Sequence, residues 1–216
     1  MKPDIDILIP TSKKPERLNN LLCQIHTVLN SGINTRVTLA MDGPYPSLTS
    51  QLSHYPLSKV RLVYGAPQGS PAIPAAYCME NLEWGDWMLN VSDDDCVLPW
   101  GLRHLWEATK DVSMVIGQTI GVSRTKHLDF SAWKIGIGVI PCHVSTALIN
   151  MRSLETLPKP WYRDDPLCDY LLIQRMSENF PFKIIPSVVH VQAFAEIENL
   201  GPEFGQIFRD VYGDLI

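Results

Sequence analysis

Residues 69–102 read GSPAIPAAYCMENLEWGDWMLNVSDDDCVLPWGL. A helix is predicted from Ala72 to about Leu82. The turn Gly85-Asp86 then leads into the apolar run Trp87–Val91, which ends on Ser92 and three consecutive aspartates, Asp93, Asp94 and Asp95. A short apolar run bounded by turn signals reads as a strand buried on both faces. Three adjacent carboxylates behind such a strand repel one another unless something positive lies among them. Two readings account for the run. In one, a hard divalent cation, Mn2+ or Mg2+, is held by one or two of the carboxylates while substrate phosphates and water complete its shell. In the other, the aspartates are an acidic helix start, because Pro99 opens a helix predicted over Trp100–Thr109.

Upstream, the same strand–turn–helix rhythm repeats. Ile5–Pro10 is an apolar run, and Leu18, Leu21, Leu22, Ile25, Val28 and Leu29 follow it at helical spacing. Pro15 and Glu16 suit the first turn of that helix and Gly32 the position beyond its end. Val37–Met41 is a second strand ending at Asp42-Gly43, and Val60–Tyr64 a third ending in the loop 65–71. Strands alternating with helices predict a mostly parallel α/β sheet with both faces covered. Ligands of such sheets sit beyond the carboxyl ends of the strands, so the loops that follow the four strands form the expected site wall. Downstream the pattern is less regular. Residues 113–122 and 136–141 read as strands, Asp165–Glu178 as a helix with Asp165 at its N-cap and Pro166 at its first position, and Phe182–Gln192 as one or two strands.

The whole chain limits the possibilities further. Its 216 residues, 45% hydrophobic and 19% charged, suit one compact domain with one sizeable core. The net charge of -5, with Lys and Arg scattered, lacks the basic patch of a nucleic-acid binder. An acidic chain that binds phosphates needs a cation to help. Cys23, Cys78, Cys96, Cys142 and Cys168 are odd in number, with no CxxC pair, which speaks against a disulfide framework or a structural zinc site. With no apolar stretch near the length of a membrane span and no secretory leader, a soluble cytoplasmic protein is expected.

Taken together, these pieces resemble the family-2-type (inverting) nucleotide-sugar glycosyltransferases of the GT-A fold. The matching parts are Gly69, Gly85-Asp86, the strand Trp87–Val91, the acidic DxD-type run Asp93–Asp95, and Pro99 with Leu102. DILIPTSKKPERL (residues 6–18) is similar to the family's opening strand and turn, VTLAMDG (37–43) to its second strand, and STALINMRSLETLPKPWYRDD (145–165) and FKIIPSVVH (182–190) to its later segments. The resemblance implies a Rossmann-like sheet flanked by helices, with a smaller mixed sheet on the acceptor side. It also implies a single domain over 1–216, with a donor-binding half (1–98) and an acceptor-binding half (99–216). The implied donor is a UDP- or GDP-sugar, and the acceptor a glycan or other hydroxyl. Two departures are visible. Ser92 stands where a first aspartate is frequent, and the arginine often present after the glycine loop is missing from PAIPAAYCMEN.

The resemblance also distributes roles. The family's principal metal aspartate stands five residues before the helix-opening proline, which selects Asp94, with Asp95 beside it and Asp93 facing the ribose or sharing the metal. Asp42 would accept from the N–H of a uracil-like base, or else belongs simply to a turn. Pro10 and Thr11 would border base and ribose, and Gly69 and Ser70 the donor. Arg17 would reach the nucleotide, or is an exposed helix arginine. An inverting transfer needs a carboxylate to take the acceptor hydroxyl proton, and the family draws it from an acidic pair before a helix. Asp165 fits that position, with Asp164 and Asp169 in reserve, although Asp165 is equally suited to capping. Trp161 and Tyr162 could stack on an acceptor sugar or pack internally. His190 is a third metal ligand or a satisfied core histidine. His143 precedes the acceptor region without an assigned role.

Two rivals remain at this level. One is a GT-A fold that binds a nucleotide or sugar without turnover. The other is a nucleotidyltransferase, which expects glycines that PTSKKPERL lacks. A P-loop is absent, and Gly136-Ile137-Gly138 is a lone GxG in the wrong half for a dinucleotide fold. The sequence does not fix the oligomeric state.

Overall fold

The structure, a computed structural model, describes residues 2–11, 17–56, 58–65, 72–93, 95–122, 144–159 and 168–193. Three βα units come first: β1 (Ile5–Thr11) and α1 (Leu18–Leu29), β2 (Thr35–Met41) and α2 (Pro46–Leu52), β3 (Val60–Tyr64) and α3 (Ala72–Asn81). Then come β4 (Trp87–Asn90), the two-residue β5 (Cys96–Val97), α4 (Pro99–Glu107), β6 (Met114–Val122), a 3-10 turn (Val144–Thr146), β7 (Ala147–Asn150), α5 (Met151–Leu154), α6 (Cys168–Asn179) and β8 (Phe182–Ala193).

Among the described residues, eight strands form one sheet in the order β3-β2-β1-β4-β7-β6-β8-β5. The pairs β1–β2, β1–β4 and β2–β3 are parallel, as the βα rhythm predicts. Beyond β4 the sheet is mixed. β7 runs antiparallel to β4 and β6, β8 runs parallel to β6, and β5 is antiparallel to β8. The parallel and mixed parts are therefore continuous. Their directions bring the carboxyl ends of β1, β2, β4, β6 and β8 and the amino end of β7 to one edge.

The alternation of side chains along β1 explains the layers. Ile5, Ile7 and Ile9 face one core with Leu21, Ile25 and Val28 of α1, Leu48 and Leu52 of α2, and Leu102 and Leu105 of α4. Leu8 faces the other, with Ala75, Cys78 and Met79 of α3, Met151 and Leu154 of α5, and Leu172, Ile173 and Met176 of α6. A strand apolar on both sides needs a helix layer over each, and the alternating helices supply them.

Asp6 interrupts the β1 apolar run and is fully buried, which is tolerable only with full pairing. Arg36 grips it with Nε at 2.7 Å and Nη2 at 2.8 Å, and the Gly85 N–H donates to its Oδ2. A Cβ at Gly85 would lie 2.7 Å from the Pro3 carbonyl oxygen, so only glycine lets the turn before β4 come this close. Arg61 extends the network, donating to Thr38 Oγ1 and the Glu83 carbonyl and lying over the Trp84 ring. Burial, and secondarily the Arg36 charge, pull its pKa down. These groups sit at the amino ends of the parallel strands, opposite the expected site, and pin the sheet.

α4 settles one alternative. Its N-cap is Leu98, its first turn holds no acidic residue, and β5 stands between it and the aspartates. The aspartate run is not the start of that helix. The elements α2, β5, β7 and α5 were not anticipated. The polar α2 has only Leu48 and Leu52 buried, and β5 is too short to show a period.

Candidate functional site

Consecutive strands β1, β2 and β3 step outward in one direction, whereas β4 returns to the other side of β1. The carboxyl ends of β1 and β4 thus flank the point where strand order reverses, the crevice that open α/β sheets offer to ligands. Three predicted site residues meet there. Thr11, the last residue of β1, donates from Oγ1 to Asp93 Oδ2 at 2.7 Å. Arg17 donates from Nη1 to Asp93 Oδ1 at 2.6 Å. The arginine is the N-cap of α1 and makes no side-chain cap of its own, so its side chain can turn to the loop. Both oxygens of Asp93 are thereby engaged, and the pair is largely buried, with side-chain exposures of 11% for Arg17 and 3% for Asp93. Arg17 is neither an exposed helix arginine nor free in the crevice.

The second meeting joins distant parts of the chain. His190 Nε2 lies 3.0 Å from Asp95 Oδ2, both side chains being almost fully buried. The cause is strand pairing: Cys96 pairs with Val191 and Val97 with His190, which draws the residue before β5 toward the end of β8. Ser145 Oγ donates to Asp95 Oδ2 at 3.3 Å from the 3-10 turn ahead of β7. On the imidazole's other side, Nδ1 is 3.3 Å from Thr119 Oγ1 of β6.

The position of His190 is fixed by its neighbour Val189. A Cβ on Gly101 of α4 would lie 2.4 Å from Val189 Cα, and one on Gly117 of β6 would lie 2.4 Å from both Val189 methyl carbons. Two glycines therefore let α4 and β6 close on this one residue.

The backbone of the aspartate loop is held from α1. Asn20 Nδ2 donates to the Asp93 carbonyl at 3.1 Å and to the Asp95 carbonyl at 3.0 Å. A further bond from Asp95 N–H to the Ser92 carbonyl, 3.3 Å, closes the turn. Asn20, Ser145 and Thr119 were not singled out from the sequence. Their one visible signal is a polar residue, Asn20, inside the amphipathic pattern of α1.

Asp42 closes β2, 6% exposed, and the turn behind it uses Gly43 at φ +85° with its N–H on the Met41 carbonyl. Pro10 lies beside it across the β1–β2 pairing, opposite Ala40. Asp169 is the second residue of α6. Its side chain, and Gly69, Ser70, Asp94, His143, Trp161, Tyr162, Asp164, Asp165 and the predicted strand 136–141, lie outside the described residues.

A carboxylate oxygen with an imidazole nitrogen suits Mn2+ and is acceptable to Mg2+. Two ligands each about 2.1 Å from one octahedral ion, at right angles to each other, stand about 3 Å apart. The separation of Asp95 and His190 matches that figure. Among the described residues, no group of three or more His, Cys, Asp or Glu side chains comes together. The pair is therefore half of a metal site at most, with Asp94 as the remaining candidate.

No family model and no curated protein sequence matches the chain. Solved structures do. Residues 1–349 of S. aureus TarS in complex with UDP-GlcNAc superpose with a TM-score of 0.68 at 13% identity, over 99% of this chain and 66% of that one. The fold is GT-A. A second GT-A structure, the mannosyltransferase PcManGT from Pyrobaculum calidifontis with GDP-Man and Mn2+, gives 0.65 at 13% identity over 91% of this chain and 59% of that one. Glucosyl-3-phosphoglycerate synthase from Mycobacterium tuberculosis, with Mn2+, UDP and phosphoglyceric acid, gives 0.62 at 12% identity over 98% and 78%. This GT-A chain thus spans about two thirds of that TarS chain and less of the mannosyltransferase. No helix among its described residues is long and apolar enough to cross a membrane.

Proposed function

We propose that the chain is a glycosyltransferase that moves a sugar from a UDP- or GDP-linked donor to the hydroxyl of a glycan or other acceptor. The observation that carries this reading is the convergence of Asp95 and His190 at 3.0 Å beside the Thr11–Asp93 contact, at the strand-order reversal of a GT-A fold. Structures of the same fold hold UDP-GlcNAc, GDP-Man with Mn2+, and UDP with Mn2+.

Asp94, Asp95 and His190 would hold the Mn2+ or Mg2+ ion. When bound, it supplies Lewis-acid stabilisation of the departing diphosphate. Asp42 would accept from the base, with Pro10 and Thr11 along base and ribose and Gly69 and Ser70 against the donor. Asp93 would act mainly by holding the loop, since Thr11 and Arg17 already engage both of its oxygens. Asp165 would take the proton of the acceptor hydroxyl as that oxygen attacks the anomeric carbon, giving inversion, and Asp164 or Asp169 would replace it if it caps α6 instead. Trp161 and Tyr162 would present aromatic faces to the acceptor.

The test is hydrolysis of UDP- and GDP-sugars with and without Mn2+. Metal-dependent release of UDP or GDP that disappears in Asp94→Ala supports the enzyme. Nucleotide binding with no hydrolysis and no transfer would make the chain a binding module instead.

A further inference from the structure

Asn20 holds the aspartate loop by its backbone. Its side-chain amide nitrogen carries two hydrogens and donates one to the Asp93 carbonyl and the other to the Asp95 carbonyl. Those carbonyls flank Asp94 in the chain. We infer that Asn20 is a positioning residue for metal binding: it closes a clamp across the aspartate loop and so sets the distance between the carboxylate-bearing residues. The inference rests on the reading of this loop as a cation site.

The loop needs such a clamp. β4 ends at Asn90 and β5 begins at Cys96, so the aspartate loop lies between two strands, with the Val91 N–H still reaching the Leu8 carbonyl. Thr11 and Arg17 hold the Asp93 side chain, the Asp95 N–H closes a turn on the Ser92 carbonyl, and Asn20 adds a hold on the backbone carbonyls. Asn20 stands one turn after Arg17 on α1, so one rigid helix carries both the side-chain anchor and the backbone anchor. Serine could offer one hydrogen, and aspartate or leucine none. Groups that orient metal ligands in this way change metal affinity by roughly 10- to 100-fold when removed.

The experiment is Mn2+ titration followed by electron paramagnetic resonance, with UDP and then GDP present, on the wild-type chain, Asn20→Ala and Asn20→Leu. Alanine and leucine are better helix formers than asparagine, so α1 should persist, and each variant's melting temperature without metal reports its folding. The expected result is a Mn2+ dissociation constant raised about tenfold in both variants, with folded chain still present. Wild-type Mn2+ affinity in a folded Asn20→Ala or Asn20→Leu chain overturns the inference and leaves the proposed function standing. A wild-type chain that binds no Mn2+ with either nucleotide overturns both. If one variant fails to fold, the other decides.

Discussion

Asp95 Oδ2 stands 3.0 Å from His190 Nε2 because β5 and β8 pair in a register that sets Val97 opposite His190. Neither residue reaches this position through its own local structure. The loop after β4 delivers the carboxylate, and a strand near the far end of the described chain delivers the imidazole.

If the two are joint ligands, His190→Ala removes one donor and leaves Asp95 with its Ser145 contact. The stabilisation that Mn2+ gives in the presence of UDP or GDP should then fall sharply, since a ligand protects the folded state only as far as it binds. Thermal melts with and without Mn2+ measure this. An unchanged Mn2+ response would make the contact a structural ion pair.

Val189 lies between two glycines that differ in kind. At Gly117 the clash is with the Val189 methyls, whereas at Gly101 it is with Val189 backbone atoms. Gly117→Ala alone should destabilise by about 2 kcal/mol from overpacking, and Val189→Ala in the same chain should recover part of that loss. Gly101→Ala should be at least as damaging and gain nothing from Val189→Ala. Urea unfolding of the five chains tests the contrast, and equal rescue at both sites would refute it.

The Arg17–Asp93 pair is buried enough for its rupture to matter. Arg17→Met removes the charged donor to the buried Asp93 carboxylate, which keeps the Thr11 hydroxyl, and should cost about 3 kcal/mol. Arg17→Met with Asp93→Leu should cost less than the sum of the two single changes, because no buried charge is then stranded. Additivity in a double-mutant cycle would show that the two groups do not depend on each other.

The parallel half was legible in the sequence because its signals are local. The apolar run Val60–Tyr64 coincides with β3, and the helical spacing from Leu18 to Leu29 with the body of α1, although that helix starts at Leu18 behind Arg17 and not with Pro15 and Glu16 in its first turn. The mixed half was legible only in part: residues 113–122 and 182–192 read as strands and coincide closely with β6 and β8, but β7 gave no such signal. Ala147–Asn150 is four residues long, and its antiparallel place between β4 and β6 depends on pairing that no periodicity records. The same holds within the site. Asp93 and Asp95 could be singled out as a cluster, but the different partners that each side chain meets could not. They arise from Arg17 turning toward one carboxylate and β8 bringing His190 to the other.

Cys78 supplies a pH test. Burial pushes its thiol from 9.0 to about 12, with Arg61 opposing weakly. The unfolded chain ionises first, so the stability tied to the neutral thiol is complete below about pH 9 and is lost as pH rises toward 12. Relative to its own value at pH 8, wild-type stability should fall more steeply than that of Cys78→Ala over this range, as read from urea midpoints. In the native chain at pH 8, iodoacetamide should modify exposed Cys23 and spare Cys78, which peptide mass mapping would show.

The function proposed above requires that this edge of the sheet bind a nucleotide-sugar donor through a divalent cation. Isothermal titration of UDP-GlcNAc and GDP-mannose into the wild-type chain and Asp95→Asn, with Mn2+ and with chelator, tests it most directly. The wild-type chain should bind at least one donor in a way that requires Mn2+ and is lost or weakened at least tenfold in Asp95→Asn. Donor binding that is equally strong in chelator, or unchanged in Asp95→Asn, would contradict it.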